Sequence, residues 1–222
     1  MIKLIEIKNF KCFDNLRLPL SKLTILAGAN AAGKSTVMQA LLLAEATARE
    51  KGNSVDASEA LGVAVGGPRA LISQNRTEDL EGDFLFNIQW DETTVTFTYK
   101  IDKLISLKLA YHQSGSTPDN QLVYLNAERM GPRISYPAGI DEEILCNGAN
   151  AAFLIDRADM QKRKIPKRLA LIKETTNFST QVENWMNAIL GDINFSITTD
   201  YIKAITDIRY GNEVAEEPVL PT

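Results

Sequence analysis

Hydrophobic and polar positions in the first fifty residues form three short runs of β type, followed by one longer helical run. The three runs that predict strands are residues 2–8, Leu16–Leu20 and Leu23–Ala27. Pro19 places the second run at a sheet edge or at the end of a strand, because proline cannot donate a ladder hydrogen bond. The helical run begins at Lys34 and is expected to continue to about Arg49, with Gly52 and Asn53 ending it.

The pattern changes twice in the remainder of the chain. From Gly82 onward it has a period of two, and three antiparallel strands are predicted: Phe84–Trp90, Thr93–Ile101 and Leu104–Tyr111. A short apolar strand, Leu122–Asn126, follows them. The C-terminal third has helical spacing, and four helices are predicted: Ile140–Cys146, Ala151–Asp159, Pro166–Lys173 and Ser179–Leu190. A hairpin of Ile193–Thr199 and Ala204–Tyr210 is expected at the end.

The segment between the third run and the first helix carries the motif that defines a chemistry. Its spacing, G-x-x-x-x-G-K-S, is that of a phosphate-binding loop, and the strand-type run before it and the helical run after it supply the context that the motif needs. Its two glycines allow a tight turn in which successive N–H groups point at phosphate oxygens. The candidate nucleotide-binding residues are Gly28, Ala29, Asn30, Ala31, Ala32, Gly33, Lys34, Ser35 and Thr36.

Two of these side chains have specific expected roles. Lys34 is expected to reach the β- and γ-phosphates, and the hydroxyl of Ser35 is expected to be a ligand of Mg²⁺. The helix that opens at Lys34 adds the positive end of its dipole at the same place. The sequence therefore predicts binding of a nucleotide with its magnesium ion.

Composition and charge narrow the remaining function classes. The 222 residues are 45% hydrophobic and 23% charged, which is ordinary for a globular protein. The net charge of −4 gives no general attraction to nucleic acid or anionic lipid, so such a contact would need a local basic patch. Cys12 and Cys146 provide neither a disulfide framework nor metal-ligand spacing. The N-terminus lacks a signal peptide and no apolar run is as long as a membrane span, so a cytoplasmic protein is expected.

The phosphate loop with asparagine at its third position, preceded by Ile7–Phe13 (IKNFKCF), resembles the N-terminal lobe of SMC/RecF/OLD-like ABC-type ATPases. Tyr124–Arg133 (YLNAERMGPR) is similar to the Y-L-x-A-E-R-x-G-P block of a bacterial AAA-15/21-like branch, and Gln181–Leu190 is similar to its QV-x-x-W helix. The resemblance implies an α/β P-loop NTPase fold: an ABC-ATPase-like mixed sheet with an antiparallel β-meander and a helical segment. It also implies ATP and Mg²⁺ as ligands and a homodimer of ATP-bound heads.

Under this resemblance, residues 1–222 are the N-terminal part of one ATPase head domain whose sheet is incomplete. Its parts are a P-loop lobe (1–53), a β-meander (82–126), a helical segment (140–190) and a hairpin (193–210). An incomplete sheet is expected to leave an open edge or an exposed apolar face.

The family also uses motifs that are missing here. Its ATPases have an apolar strand ending in Asp-Glu, an S-G-G-type signature and a switch histidine, and no S-G-G occurs in this sequence. Phe153–Asp156 has an apolar run before its aspartate, but Arg157 follows and the surroundings predict a helix. Asp91–Glu92 is better explained as a hairpin turn. His112, the only histidine, is expected at a solvated strand end. The catalytic residues are therefore left unassigned.

Other candidate sites have competing explanations. Glu128 and Arg129 follow a short apolar strand, where they either sense the γ-phosphate and Mg²⁺ or form a surface ion pair. Lys11 either approaches the nucleotide or is a solvated turn lysine, and the latter is favoured. The only basic cluster is Arg157, Lys162, Arg163, Lys164, Lys167 and Arg168. It is more simply a solvated helix start than a contact for DNA phosphates. Trp90 and Trp185 are expected to pack in the core or against a sheet.

Two function classes fit best. The first is the ATP-binding lobe of an ABC-type ATPase, which hydrolyses ATP only when a downstream or partner segment supplies the signature and the acidic strand, in DNA maintenance or anti-phage defence. The second is a non-hydrolysing, nucleotide-responsive interaction module that a partner chain completes. A small phosphotransferase also uses such a loop, but the antiparallel insertion disfavours it.

Overall fold

The computed structural model describes residues 1–61, 66–74, 80, 82–101, 107–117, 122–127, 133, 135–139, 143–191 and 194–211. The chain divides into two compact units, unit 1 (Met1–Leu122) and unit 2 (Val123–Thr222).

Unit 1 is built on a six-stranded sheet whose described strand pairs are all antiparallel. Its strands are β1 (Ile2–Phe10), β2 (Phe13–Pro19), β3 (Ser54–Asp56), β4 (Phe84–Trp90), β5 (Thr93–Ile101) and β6 (Lys108–Ser114). They lie in the order β2-β1-β4-β5-β6-β3. The helices of unit 1 are α1 (Lys34–Arg49) and α2 (Ala57–Leu61), with a 3₁₀ turn at Pro68–Leu71.

The core of unit 1 is aromatic and lies between the sheet and α1. Alternate residues of β1, β4 and β5 are buried, as expected for a sheet with one covered face. Phe84 stacks on Tyr99 with ring centroids 4.9 Å apart, and Phe10 and Phe86 meet edge to face at 5.0 Å. The hydroxyl of Tyr99 lies 2.9 Å from that of Thr47, which donates to a carbonyl of its own helix. Helix α1 is thus tied to the centre of the sheet.

Several predictions for unit 1 are confirmed. Helix α1 has the predicted limits, and the strands predicted at residues 2–8, Phe84–Trp90 and Thr93–Ile101 are present. The strand predicted at Leu104–Tyr111 is displaced, since β6 continues to Ser114, which pairs with Thr96 of β5; residues 102–106 lie outside the described residues. The short strand β3 was not predicted.

The predicted strand at Leu23–Ala27 is wrong. No described strand pairs with this segment, and Leu23 and Ile25 are 77% and 78% exposed. Its start is instead fixed by a local turn, in which the Ser21 hydroxyl donates to the Leu23 carbonyl at 2.7 Å. The apolar residues of this segment have high β propensity, but a strand also needs a neighbouring strand to complete its backbone hydrogen bonds. The apolar side chains of Leu23 and Ile25 are therefore exposed in unit 1.

The described residues of unit 2 form a small antiparallel sheet and two helices. The strands are β7 (Ser135–Pro137), β8 (Asn194–Asp200) and β9 (Ile205–Gly211), in the order β7-β9-β8. The helices are α3 (Ala151–Met160) and α4 (Phe178–Leu190), with a 3₁₀ turn at Lys167–Leu169. Helices α3 and α4 and the predicted hairpin are confirmed, while β7 was not predicted.

Three predictions for the same part of the chain are wrong, two because polar side chains hold the backbone in non-helical conformations. Residues 143–146 of the predicted helix Ile140–Cys146 are not helical, because the amide of Asn150 bonds to the backbone of Glu143 and Leu145. Of the predicted helix Pro166–Lys173, only the 3₁₀ turn Lys167–Leu169 forms. The N–H groups of Leu171 and Ile172 donate to the side chain of Gln181 instead of to helical carbonyls. Leu122–Asn126 has no strand partner within the described ranges.

The amphipathic face of α4 is only partly covered. Trp185 was expected to be a packing residue, but it is 45% exposed, and Ile189 is 75% exposed. The indole N–H of Trp185 donates to the Leu169 carbonyl at 3.0 Å. Trp90, in contrast, packs against the core of unit 1 as predicted.

Candidate nucleotide-binding loop

The loop from Gly28 to Gly33 leads directly into α1 and leaves the start of that helix open. Gly33 is the N-cap in a left-handed conformation (φ 88°), and the first turn of the helix has no acidic residue. No side chain in the part of the chain that the structure describes caps the helix. Residues 27–32 are exposed. Since the first N–H groups of a helix have no partners within it, this end can accept an external anion.

Lys34 lies across the loop. Its ammonium donates to the carbonyls of Gly28 at 2.8 Å and of Ala29 at 2.6 Å. A positive charge is therefore held beside the exposed backbone of the loop, and no carboxylate among the described residues forms an ion pair with it. A phosphate group at this position would meet both the ammonium and the free N–H groups.

Ser35 and Thr36 point to different surroundings. Ser35 is exposed at the start of α1, so its hydroxyl is accessible to a cation. Thr36 is only 8% exposed, and its hydroxyl lies 3.6 Å from the sulfur of Cys12. Of the two adjacent hydroxyl groups, the one expected to bind Mg²⁺ is the accessible one.

The turn between β1 and β2 packs directly on the loop. A Cβ atom on Gly33 would lie 2.5 Å from the ring of Phe13 and 2.8 Å from the sulfur of Cys12. Glycine is therefore required at this position for two reasons, its backbone angle and its close contact. The sequence motif predicted the glycine, but it did not predict which residues press against it.

Lys11 belongs to the same turn and is not the solvated lysine that the sequence favoured. It is half-buried, its ammonium donates to the side chain of Gln39 at 2.7 Å, and it lies 5.7 Å from the ring centroid of Phe10. Burial lowers the pKa of Lys11 below its usual value. Gln39 lies one helical turn after Ser35, so the β1–β2 turn and α1 are joined close to the loop. No motif or spacing in the sequence indicated that Gln39 would contact Lys11.

The candidate acidic motifs are elsewhere. Asp156 lies in helix α3, so the segment Phe153–Asp156 is not an acidic strand. Asp91 and Glu92 form the turn between β4 and β5, and Asp91 pairs with the N-terminal ammonium at 2.8 Å. That hydrogen bond lowers the pKa of Asp91. Both outcomes agree with the interpretations favoured from the sequence.

The remaining candidates do not add to the loop. Glu128 and Arg129 lie outside the described residues. His112 is exposed on β6. Among the residues that the structure describes, no three His, Cys, Asp or Glu side chains group together as metal ligands. Cys12 and Cys146 are not joined in a disulfide.

The basic cluster is a surface segment of unit 2. Lys162, Arg163, Lys164, Lys167 and Arg168 are exposed just after α3, while Arg157 is half-buried within that helix. A chain reversal at Lys162 (φ 52°) ends the helix. The negative end of the α3 dipole stabilises cations that lie just after the helix. This effect alone can account for some of the basic residues in the cluster.

The loop, the helix that follows it and the folded-back lysine belong to a mixed α/β fold of the P-loop ATPase type. The family model for the AAA ATPase domain (AAA-15) matches residues 1–213, and the chain belongs to this family. An OLD nuclease from Thermus scotoductus (strain ATCC 700910 / SA-01) is 44% identical to the chain over 41 residues. That match covers 18% of this chain and 8% of the OLD nuclease. The family predicted from the sequence is therefore confirmed.

No helix in the described ranges is long and apolar enough to cross a membrane.

Proposed function

We propose that Gly28–Thr36 binds ATP with Mg²⁺. The observation that carries this proposal is the uncapped start of α1 with the ammonium of Lys34 held 2.6–2.8 Å from the carbonyls of the loop. When ATP binds, the ammonium of Lys34 would hydrogen-bond to the phosphates instead of to these carbonyls. The hydroxyl of Ser35 would coordinate the magnesium ion. Membership of an AAA ATPase family supports the choice of nucleotide.

The test is nucleotide binding by the whole chain. A fluorescent ATP analogue should bind in the presence of Mg²⁺, and Lys34→Ala should weaken its binding at least tenfold, because a charge-assisted contact to phosphate is lost. The matched control is Lys22→Ala, which removes an exposed lysine outside the loop. Equal affinity of the two variants would overturn the proposal.

Hydrolysis by these residues alone is proposed to be weak or absent. Transfer of the γ-phosphoryl group to water needs a residue that positions the water. Neither candidate carboxylate supports this role, since Asp156 is helical and Asp91 binds the N-terminal ammonium. We propose that a downstream or partner segment supplies the signature and the acidic strand, within a homodimer of ATP-bound heads. Rapid ATP turnover by the isolated chain, abolished in Lys34→Ala, would contradict this proposal.

The second candidate is a nucleotide-responsive interaction module that does not hydrolyse ATP. The same placement of Asp91 and Asp156 favours it. The two candidates differ in what restores activity: an ATPase head gains turnover when the acidic strand is supplied, whereas an interaction module only changes its affinity for a partner. For either candidate, Glu128 and Arg129 remain proposed sensors of the γ-phosphate.

The biological role is proposed to be DNA maintenance or anti-phage defence in the cytoplasm. The partial match to an OLD nuclease supports a connection with DNA. The exposed cations at Lys162–Arg168 are the surface at which phosphates would bind. Replacing both Lys162 and Arg163 by glutamate should weaken binding of a DNA oligonucleotide. The control variant Lys22→Ala should bind the oligonucleotide with unchanged affinity.

A further inference from the structure

Strand β3 ends the large sheet of unit 1 and leaves an unpaired edge. Two hydrogen bonds fix its register against β6: Tyr111 N–H donates to the Asn53 carbonyl at 3.1 Å, and Ala57 N–H donates to the Leu107 carbonyl at 2.9 Å. Since bonding positions alternate along an antiparallel pair, Ser54 and Asp56 direct their backbone groups away from β6. The carbonyl of Asp56 accepts the first hydrogen bond of α2, so the groups left at this edge are the N–H of Ser54, the carbonyl of Ser54 and the N–H of Asp56. No described strand pairs with that side.

An open cleft of about 720 Å³ lies beside this edge, between β3 and the C-terminal half of α1. Leu42, Ala46, Ala60 and Leu122 contribute apolar surface to it. The cleft therefore combines free backbone hydrogen-bonding groups with room for apolar side chains, which are the two features that strand addition uses.

Carboxylates outnumber cations among the described residues that line the cleft. The carboxylates are Glu45, Glu50, Asp56 and Glu59, and the cations are Arg49 and Lys108. Two of the carboxylates are already engaged: Glu45 pairs with Arg49 at 2.9 Å, and Asp56 accepts the N–H and hydroxyl of Ser58. Glu50 and Glu59 are exposed, and neither forms an ion pair with another described residue. The carboxylates of Glu50 and Glu59 are therefore accessible to a lysine or arginine side chain of a bound segment.

We propose that this edge binds an extended, basic segment of a partner protein. The segment would add a strand beside β3, hydrogen-bond to Ser54 and Asp56, and place lysine or arginine side chains against Glu50 and Glu59. A second copy of this chain is disfavoured as the occupant, because pairing two β3 edges would bring the same carboxylates together. The site is separate from the P-loop, which lies at the other end of α1, roughly 24 Å away for sixteen helical residues.

The first test uses a fluorescein-labelled seven-residue peptide that alternates lysine and valine, and the whole chain. Fluorescence anisotropy should show binding that weakens with salt. A peptide with glutamate in place of lysine should bind at least tenfold more weakly. Glu50→Lys should weaken binding of the lysine peptide about fivefold, because one ion pair becomes a repulsion. This variant is not expected to unfold the chain, since a cation is favourable at the end of α1.

Glu92→Lys is the matched control, because it reverses an exposed carboxylate in the β4–β5 turn. It should leave the affinity for the peptide unchanged. If Glu50→Lys and Glu92→Lys bound the peptide equally well, the proposed site would be wrong.

The second test asks whether a strand is added. In amide hydrogen exchange followed by NMR, the N–H groups of Ser54 and Asp56 should exchange quickly in the free chain and become protected when the peptide is bound. Replacing the central valine of the peptide by proline should abolish that protection. Peptide binding without protection of these two amides would overturn strand addition. Protection that instead rises with protein concentration in the absence of peptide would identify a second copy as the occupant and overturn the partner proposal.

Discussion

Units 1 and 2 differ in what fills their interiors. In unit 1 the largest fully buried side chains are aromatic and aliphatic, and Phe10, Phe84, Phe86 and Tyr99 contact one another. In the described part of unit 2 the buried apolar residues are Phe153 and three alanines, while Asn150, Gln181 and Thr206 are buried polar residues. Unit 1 is stabilised mainly by removal of apolar surface from water, and unit 2 depends more on buried hydrogen bonds.

Apolar side chains remain exposed in both units, and in unit 1 they are those of Leu23 and Ile25. In unit 2, Trp185, Ile189 and Leu190 of α4 remain at least 45% exposed. A core formed by alanines is too small to cover such a face, and the loop before α4 is held by the amide of Gln181 rather than by packing. Hydrogen bonds thus fix a conformation that apolar burial alone would not select.

The largest expected effect comes from opening the core of unit 1. Phe86→Ala should lower the free energy of unfolding of unit 1 by about 3–5 kcal/mol, because Phe86 is fully buried among three other rings. Urea unfolding followed by tryptophan fluorescence can separate the units, since Trp90 lies in unit 1 and Trp185 in unit 2. The Trp90 signal, isolated in a Trp185→Phe background, should move to lower urea.

The control for this prediction is Ile189→Ala, a deletion of an apolar side chain that is 75% exposed. It should change the unfolding of either unit by no more than about 0.5 kcal/mol. If Phe86→Ala were equally mild, the core would not be the main source of stability in unit 1.

The second effect should come from a single polar side chain in unit 2. Gln181 accepts from Leu171 and Ile172 and donates to the carbonyls of Ile172 and Thr175, with distances of 2.6–3.4 Å. Gln181→Leu should cost about 2–3 kcal/mol, because it leaves buried backbone groups without partners. The Trp185 fluorescence signal, measured in a Trp90→Phe background, should report it.

A matched substitution keeps this prediction specific. Gln161→Leu changes the same residue type at an exposed position after α3 and should be nearly neutral. A stabilising effect of Gln181→Leu would show instead that apolar burial governs unit 2 as it governs unit 1.

The same contrast decides how much could be predicted from the sequence. Periodicity located α1, α3, α4 and most of the strands, because each buries one face and the apolar spacing records that face. The P-loop was found because its chemistry fixes the residue types at set spacings. The family followed from that loop and its flanking sequence.

What could not be predicted depended on contacts between distant residues. The segments expected to be helical before Asn150 and after Pro166 are held open by side-chain amides that carry no local pattern. Leu23–Ala27 has the composition of a strand, but its pairing depends on a neighbour rather than on its own sequence. Likewise, the packing of Phe13 and Cys12 on Gly33 joins residues that the motif does not include.

The third prediction tests that packing. Gly33→Ala should cost about 1–2 kcal/mol for the left-handed backbone alone, and the approach of its Cβ to Phe13 should displace the loop. Binding of the fluorescent ATP analogue should weaken at least tenfold, while the Trp185 unfolding signal of unit 2 stays unchanged. Gly66→Ala is the control, since nothing lies within 4 Å of its added Cβ. Unchanged nucleotide affinity in Gly33→Ala would mean that the β1–β2 turn does not constrain the loop.

The smallest effect should come from the exposed ion pair that holds the N-terminus of unit 1. The N-terminal ammonium lies 2.8 Å from Asp91, and Lys3 lies 3.6 Å from the same carboxylate. Because the pKa of Asp91 is lowered in the folded state, its contribution is present above the unfolded value of about 3.9 and is lost as the pH falls through the lowered value. Asp91→Asn should therefore reduce the midpoint of thermal unfolding slightly at pH 7 and low salt. The difference should vanish toward pH 2 and in 1 M salt, where screening removes exposed pairs. A difference that persisted at pH 2 would assign the effect to the β4–β5 turn itself rather than to the charge.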